Sequence, residues 1–230
     1  MIAFYTYIES EDGALILIDK PKEWTSFDVI KKIRNCCKEK KIGHAGTLDP
    51  LATGLLILCT GKLTKKTEYY QAKEKEYEGE MLLGQTTPSY DLETAVDAYF
   101  PIEHINENII KEKSQAFTGT LMQTPPMYSA VKIDGKKLYE VARKGKAIEV
   151  KPRPITIYDF EIRKVEMPYV AFKVVCSKGT YIRSLVHDFG KALNSGAVLT
   201  SLRRTRIGHY HVSDAASPQE FCDWYKSVKK

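Results

Sequence analysis

Apolar positions along this chain alternate between two periods. Residues 14–18 form an unbroken apolar run that stops at Asp19-Lys20-Pro21, the pattern of a buried strand entering a turn. Beyond it, Thr25 and Asp28 stand in the relation of a capping box, and Phe27, Ile30 and Ile33 then recur at helical spacing. A helix is therefore predicted there, ending before the basic stretch 38–41. Residues 43–54 hold three glycines and an Asp-Pro step, which predicts a loop of unusual backbone geometry closed by strand-like residues 55–59. From Glu76 to Leu83 the alternation places Tyr77, Gly79, Met81 and Leu83 on one side of a half-buried strand. Residues 85–104 carry no regular pattern. Helical spacing returns at 105–117 and at 135–144, where Leu138, Val141 and Ala142 share a face. The stretches 155–165 and 169–177, rich in β-branched and aromatic residues, predict two strands joined at Met167-Pro168. Residues 180–193 suit a helix, and Ser217-Pro218-Gln219-Glu220 is a helix start with proline in its first turn.

Strands and helices mixed without a strand–helix–strand repeat predict an α+β fold. A length of 230 residues, 43% of them hydrophobic, suffices for a sizeable core, and no internal repeat or low-complexity linker marks a cut between domains. Acidic Glu9, Glu11 and Asp12 interrupt any leader-like run near the start, and no apolar stretch approaches the ~20 residues of a membrane helix, so a soluble, cytoplasmic protein is expected. Cys36, Cys37, Cys59, Cys176 and Cys222 show no metal-ligand spacing and are read as reduced thiols. The formal charge of +6 permits a polyanionic partner without requiring one.

Candidate chemistry concentrates in few places. The densest is Gly43-His44-Ala45-Gly46-Thr47-Leu48-Asp49-Pro50-Leu51-Ala52-Thr53-Gly54. Taken alone, an Asp-Pro step among glycines is most often a turn; yet Pro50 restricts Asp49 to extended geometry and the glycines admit a close ligand, so the segment suits a carboxylate held at a rim. Gly61-Lys62 is no phosphate loop, because Leu56 stands where the leading glycine is needed and Leu63 where Ser or Thr is needed. His209 and His211 lack a carboxylate or cysteine at ligand spacing, which argues against a metal site. Basic residues cluster at 31–41, at Lys132, Lys136, Lys137, Arg143, Lys144 and Lys146, and at Arg203-Arg204-x-Arg206. Such runs are usually solvated faces, but Tyr128, Tyr139 and Tyr181 lie near them, and flat rings are what unstacked bases rest on. In residues 177–183 a strand meets a helix start, bringing backbone N–H groups together with Lys178 and Arg183.

The segment 43–54 closely resembles the signature loop of the TruB family of pseudouridine synthases. The resemblance extends to Lys20-Pro21 with Thr25-Ser26, Lys75-x-Tyr77, Pro126-Met127-Tyr128-Ser129-Ala130-x-Lys132, Gly135-Lys136-Lys137-Leu138-Tyr139-Glu140, Arg153-Pro154-Ile155, residues 177–183 and Leu202-Arg203-Arg204, in the family's order. It implies a pseudouridine synthase fold, with a mixed, mainly antiparallel central sheet flanked by helices and a basic cleft. The chain is read as a single catalytic domain over residues 1–230, departing from the many family members that carry a separate C-terminal RNA-binding domain, because about twenty residues after Tyr210 are too few for one. The activity implied is isomerisation of uridine to pseudouridine at position fifty-five, in the T loop of tRNA, on a flipped-out nucleotide. Carried over residue by residue, Asp49 is the nucleophile, Arg183 its partner, and Tyr77 and Leu202 the walls for the base. Tyr181 and His44 are further substrate contacts, and Lys20, Lys132, Lys178, Arg203 and Arg204 are RNA-binding residues.

The resemblance implies tRNA as partner and no cofactor, metal, membrane or obligatory protein partner. Tyr77, although placed among the catalytic residues, is a poor base with a phenol pKa of ~10, so the group that removes the C5 proton stays open, as does attack at C1′ against C6. The segment 85–94 departs from the family's pattern, keeping Asp91 but losing an acidic residue and a glycine. Rival readings are the same reaction on another RNA inside a guide-RNA particle and an RNA chaperone that folds tRNA without chemistry.

Overall fold

A computed structural model describes residues 6–129, 131–133, 135–142 and 148–228. Chain order begins with β1 (Tyr7–Ser10), β2 (Gly13–Lys20), α1 (Ser26–Cys37), β3 (Ile42–His44) and β4 (Thr53–Thr60), then a 3₁₀ turn (Gly61–Lys66) and α2 (Thr67–Ala72). It continues through β5 (Lys75–Leu83), β6 (Gln85–Thr86), β7 (Ala98–Tyr99), α3 (Glu107–Gln115), β8 (Gly119–Gln123), β9 (Lys132–Ile133), β10 (Lys136–Lys137) and α4 (Leu138–Ala142). Last come β11 (Arg153–Glu166), β12 (Tyr169–Cys176), α5 (Ile182–Ala192), β13 (Ala197–Ile207), β14 (Tyr210–His211) and α6 (Pro218–Val228).

The chain forms two compact units, one of residues 1–77 with 202–230, the other of residues 78–201; their boundaries fall inside β5 and β13. In the first unit β2 and β4 pair antiparallel and are buried on both faces, which is why each reads as a continuous apolar run rather than an alternation. Ile16, Ile18, Leu56 and Leu58 face α1 and α6 through Val29, Ile30, Ile33 and Phe221. Leu15, Leu17, Leu55 and Ile57 face Leu63, Ile207 and the partly buried Tyr70. β1 and β3 add antiparallel partners, and β13 joins β4 in parallel. In the second unit β11 pairs antiparallel with β12 and with β8, and Phe117, Phe160, Phe172 and Phe189 meet edge to face above them. This is the predicted α+β class, with mixed, mainly antiparallel pairing flanked by helices.

Several local predictions need correction. Phe27 lies at the right spacing but is 61% exposed, and Val29 takes the core position with Ile30 and Ile33. Gly43 and His44 belong to β3, not to the following loop, because their backbones pair with Cys59 and Leu58. The helix predicted for 135–144 is confined to α4; Lys136 and Lys137 pair instead with β9, and residues 143–144 lie outside the described residues. The strand β13 has no counterpart in the sequence reading, since its arginine run masks its alternation.

The cap of α1 forms as predicted. Asp28 N–H donates to Thr25 Oγ1 at 3.0 Å and Thr25 N–H donates to Asp28 Oδ2 at 2.9 Å. The Thr25 hydroxyl, which donates to Asp28 Oδ2 at 2.6 Å, and then the Thr25 N–H hold the Asp28 carboxyl below its ordinary pKa. Thr25→Ala is expected to lower stability by about 1 kcal/mol, measured by chemical denaturation.

Candidate active site

The segment between β3 and β4 owes its shape to contacts made underneath it. Gly54 has φ of +104°, and a Cβ there would lie 2.3 Å from the carbonyl oxygen of Arg204; only glycine lets β13 approach β4 so closely. From that register Arg204, 1% exposed, donates through Nε to the Leu55 carbonyl at 2.7 Å and through NH2 to the Gly46 carbonyl at 3.1 Å. Lys20, 0% exposed at the end of β2, donates through Nζ to the carbonyls of Trp24 (2.6 Å), Pro21 (2.9 Å) and Pro50 (3.3 Å). Ser26, in the first turn of α1, ties down the buried Leu48: Leu48 N–H donates to Ser26 Oγ at 2.9 Å, and Ser26 O–H donates back to Leu48 O at 3.2 Å. Asp49 therefore has fixed neighbours on both sides, its carbonyl accepting from Ala52 N–H at 3.1 Å. Its half-buried carboxylate lies close enough to Lys20 for a direct Coulombic attraction.

Two buried cations, Lys20 and Arg204, lie against the backbone of one loop. The pKa of Lys20 is pushed down to about 8, first by burial and further by Arg204, against the attraction of Asp49. His44, at the end of β3, is likewise held below its ordinary value by burial and then by Arg204, and a hydrogen bond with the Gly46 backbone only partly offsets this; the ring is neutral at pH 7. Its Nδ1 is buried and has no hydrogen-bond partner among the described residues. Tyr77, buried in β5, and Leu202, half-buried in β13, complete the predicted site residues of this unit.

The second unit supplies the rest. Tyr181, the residue that precedes α5, is locked by Gln123: Tyr181 N–H donates to Gln123 Oε1 at 2.8 Å, and Gln123 Nε2 donates to Tyr181 O at 3.1 Å. The Arg153 guanidinium lies 5.9 Å from the centre of the Tyr181 ring. Arg183, 3% exposed, donates to the carbonyls of Tyr128 (2.9 Å) and Ser89 (3.1 Å), and its Nε lies 3.6 Å from Asp91 Oδ2. Lys178 is exposed on the turn before the helix.

The five expected RNA-binding cations thus have different surroundings. Lys178 is open to solvent, whereas Lys20 and Arg204 are buried against backbone carbonyls of the loop. Arg203 makes a two-pronged ion pair with Asp19 (2.6 and 3.0 Å). The side chain of Lys132 lies outside what is described. Sequence reasoning missed Asp19, Gln123 and the pairing of Asp91 with Arg183. Each partner is remote in the chain, and no spacing rule links them.

A family model described as the N-terminal domain of TruB family pseudouridylate synthases matches residues 34–182, and a second, the tRNA pseudouridylate synthase B C-terminal domain, matches residues 183–230. A tRNA pseudouridine synthase B of Flavobacterium johnsoniae is 55% identical over 211 residues, covering 89% of this chain and 92% of its own. One from Phocaeicola vulgatus is 49% identical over 220 residues, covering 93% and 94%. Among solved structures, a Cbf5-Nop10-Gar1 complex aligns at 30% identity and a TM-score of 0.74, over 96% of this chain and 56% of that one. An H/ACA RNP bound to a substrate RNA containing 2′-deoxyuridine aligns at 25% identity and 0.71, over 100% of this chain and 63% of that one. The present chain spans less than two thirds of either solved chain.

Two outcomes test the loop's construction. Gly54→Ala is expected to lose more than about 2 kcal/mol of stability, read by denaturant unfolding, because a side chain there meets backbone at a strained φ. For Lys20 the folded-state pKa of about 8 lies below the ordinary 10.5. Between those values the unfolded chain holds the proton that the folded chain has lost, so this group's contribution to stability rises with pH through that window. Unfolding free energies of wild type and Lys20→Met at pH 7.5 and 10 should show the wild type gaining on the variant at the higher pH.

Proposed function

The chain belongs to the TruB family of pseudouridylate synthases, and from that premise we propose that it isomerises uridine to pseudouridine at position fifty-five in the T loop of tRNA, with Asp49 as nucleophile. The observation that supports this reading most is the placement of Asp49: a half-buried carboxylate on a loop whose backbone is fixed by two buried cations and Ser26. The reaction breaks the N1–C1′ bond, turns the uracil, joins C5 to C1′, releases the C5 proton and leaves N1 protonated, with no net redox change. A carboxylate serves it only if ionised and correctly aimed. Neighbouring positive charge favours ionisation, and a rigid loop provides the aim.

The stacked base must leave the T loop to be reached. In this reading Tyr77 and Leu202 flank the extruded uracil, His44 and Tyr181 contact the nucleotide, and Arg183 acts with Asp49 in the reacting complex. Lys178 meets phosphate directly, and Lys132 and Arg203 are further RNA contacts. Lys20 and Arg204 act on RNA through the field they set up at the loop. The T stem-loop is the partner, in the cytoplasm, and no protein subunit is required.

Relatives named for tRNA stand at 55% and 49% identity, above the 30% and 25% of the aligned Cbf5-Nop10-Gar1 complex and H/ACA RNP, which favours tRNA as the substrate. Tritium release from C5-labelled uridine in unmodified tRNA transcript tests the assignment. Wild type should release tritium, and Asp49→Asn should lose on the order of a thousandfold or more in rate. Replacing the T-loop uridine by cytidine should abolish release at that position. No release from folded wild-type protein would sink the reading.

A further inference from the structure

We propose that the stacked pair Tyr90 and His187 positions Arg183, making both rings positioning residues for the reaction proposed above, on which this inference rests. The contacts form a closed circuit within the second unit. Arg183 and His187 are one turn apart on α5, on the same helix face. The Arg183 head group is held by Ser89 O and Asp91, the residues on either side of Tyr90. The Tyr90 ring lies flat on the His187 ring, centroids 3.8 Å apart and planes 13° from parallel. The helix that carries the arginine therefore also grips, one turn later, the strap that holds it.

Two further observations support a positioning role for the stack. Tyr90 has φ of +66°, a left-handed conformation that a bulky aromatic residue adopts only when its surroundings impose it. Its carbonyl accepts from Leu199 N–H at 3.0 Å and its N–H donates to Thr87 O at 3.1 Å, so the strained residue is pinned on its backbone as well as its ring. The buried Nδ1 of His187 meanwhile has no hydrogen-bond partner among the described residues. Burial and nearby Lys191 push its pKa down to about 4 in spite of Asp97, so at neutral pH it is an uncharged flat ring. A neutral ring that makes one face-to-face contact is suited to holding a neighbour in place.

The test pairs variants that keep or remove the stack. Single-turnover tritium release at saturating enzyme should fall by about tenfold or more in His187→Leu, with tRNA affinity unchanged, because a small misplacement of a reacting group affects rate rather than binding. His187→Phe, which keeps a ring, should recover most of the rate. Hydrogen exchange decides the structural half without any substrate: the amides of Tyr90 and Leu199 should exchange faster in His187→Leu and at the wild-type rate in His187→Phe. Wild-type rate and exchange in the leucine variant overturn the proposal. So does an equal loss in both variants, or a loss explained by weaker tRNA binding. If His187→Leu does not fold, Tyr90→Leu against Tyr90→Phe gives the same comparison from the other ring. Failure of both leucine variants to fold makes the stack an element of the fold alone and also overturns the proposal. Absence of release from wild type is a failure of the tRNA reading, and exchange then still decides the stack.

Discussion

Arg204 is the constraint on which the rest of the first unit depends. Removing a guanidinium from water costs several kcal/mol even after relaxation, and the cost is tolerable only where its N–H groups find acceptors. Here the acceptors are main-chain carbonyls, of Leu55 at the start of the apolar part of β4 and of Gly46 in the loop before it. The loop cannot change shape without stranding a buried charge, so its conformation is as fixed as the sheet's. Gly54 is the condition for this arrangement, since any side chain there would push β13 off β4.

Carbonyl partners have a second effect that carboxylate partners lack. Arg203 is neutralised by Asp19, and Arg206 by Glu74 and Glu76, so those neighbours on β13 contribute little net field. Arg204 and Lys20 meet dipoles instead and keep their charge. Burial lowers the pKa of both Lys20 and His44 and the Arg204 charge adds to it, while the attraction between Lys20 and Asp49 favours an ionised carboxylate at position 49. The second unit repeats part of the device: Arg183 rests on two carbonyls, with Asp91 as a longer-range counter-charge. In both units a cation fixes the backbone of a loop as strongly as it shapes the local field.

Most regular elements were legible because their signals are local. The capping pair of Thr25 and Asp28, the apolar runs of β2 and β4, the alternation of β5 and the β11–β12 hairpin all rest on spacing within a few residues. The segment 43–54 was legible through its glycines and Asp-Pro step, and family resemblance turned that segment into a site. Phe27 shows the limit: helical spacing puts it beside the stripe, and packing against β2, β4 and α6 chose Val29 instead. β13 was overlooked for a related reason, its three arginines reading as a solvated run.

What the sequence determined by itself is therefore the kind of fold, the family, and the loop that carries Asp49. Each follows from short-range pattern or from a motif read in order. Only the tertiary structure decided that Lys20 and Arg204 lie beneath that loop rather than on the surface, that Asp91 and Ser89 hold Arg183, and that Tyr90 stacks on His187. The physical reason is the nature of the partners: a buried cation bonded to main-chain carbonyls accepts any residue type at those positions, so composition and spacing carry no trace of it. A contact across ninety or more residues of chain is written only in the register of strands and the packing of helices.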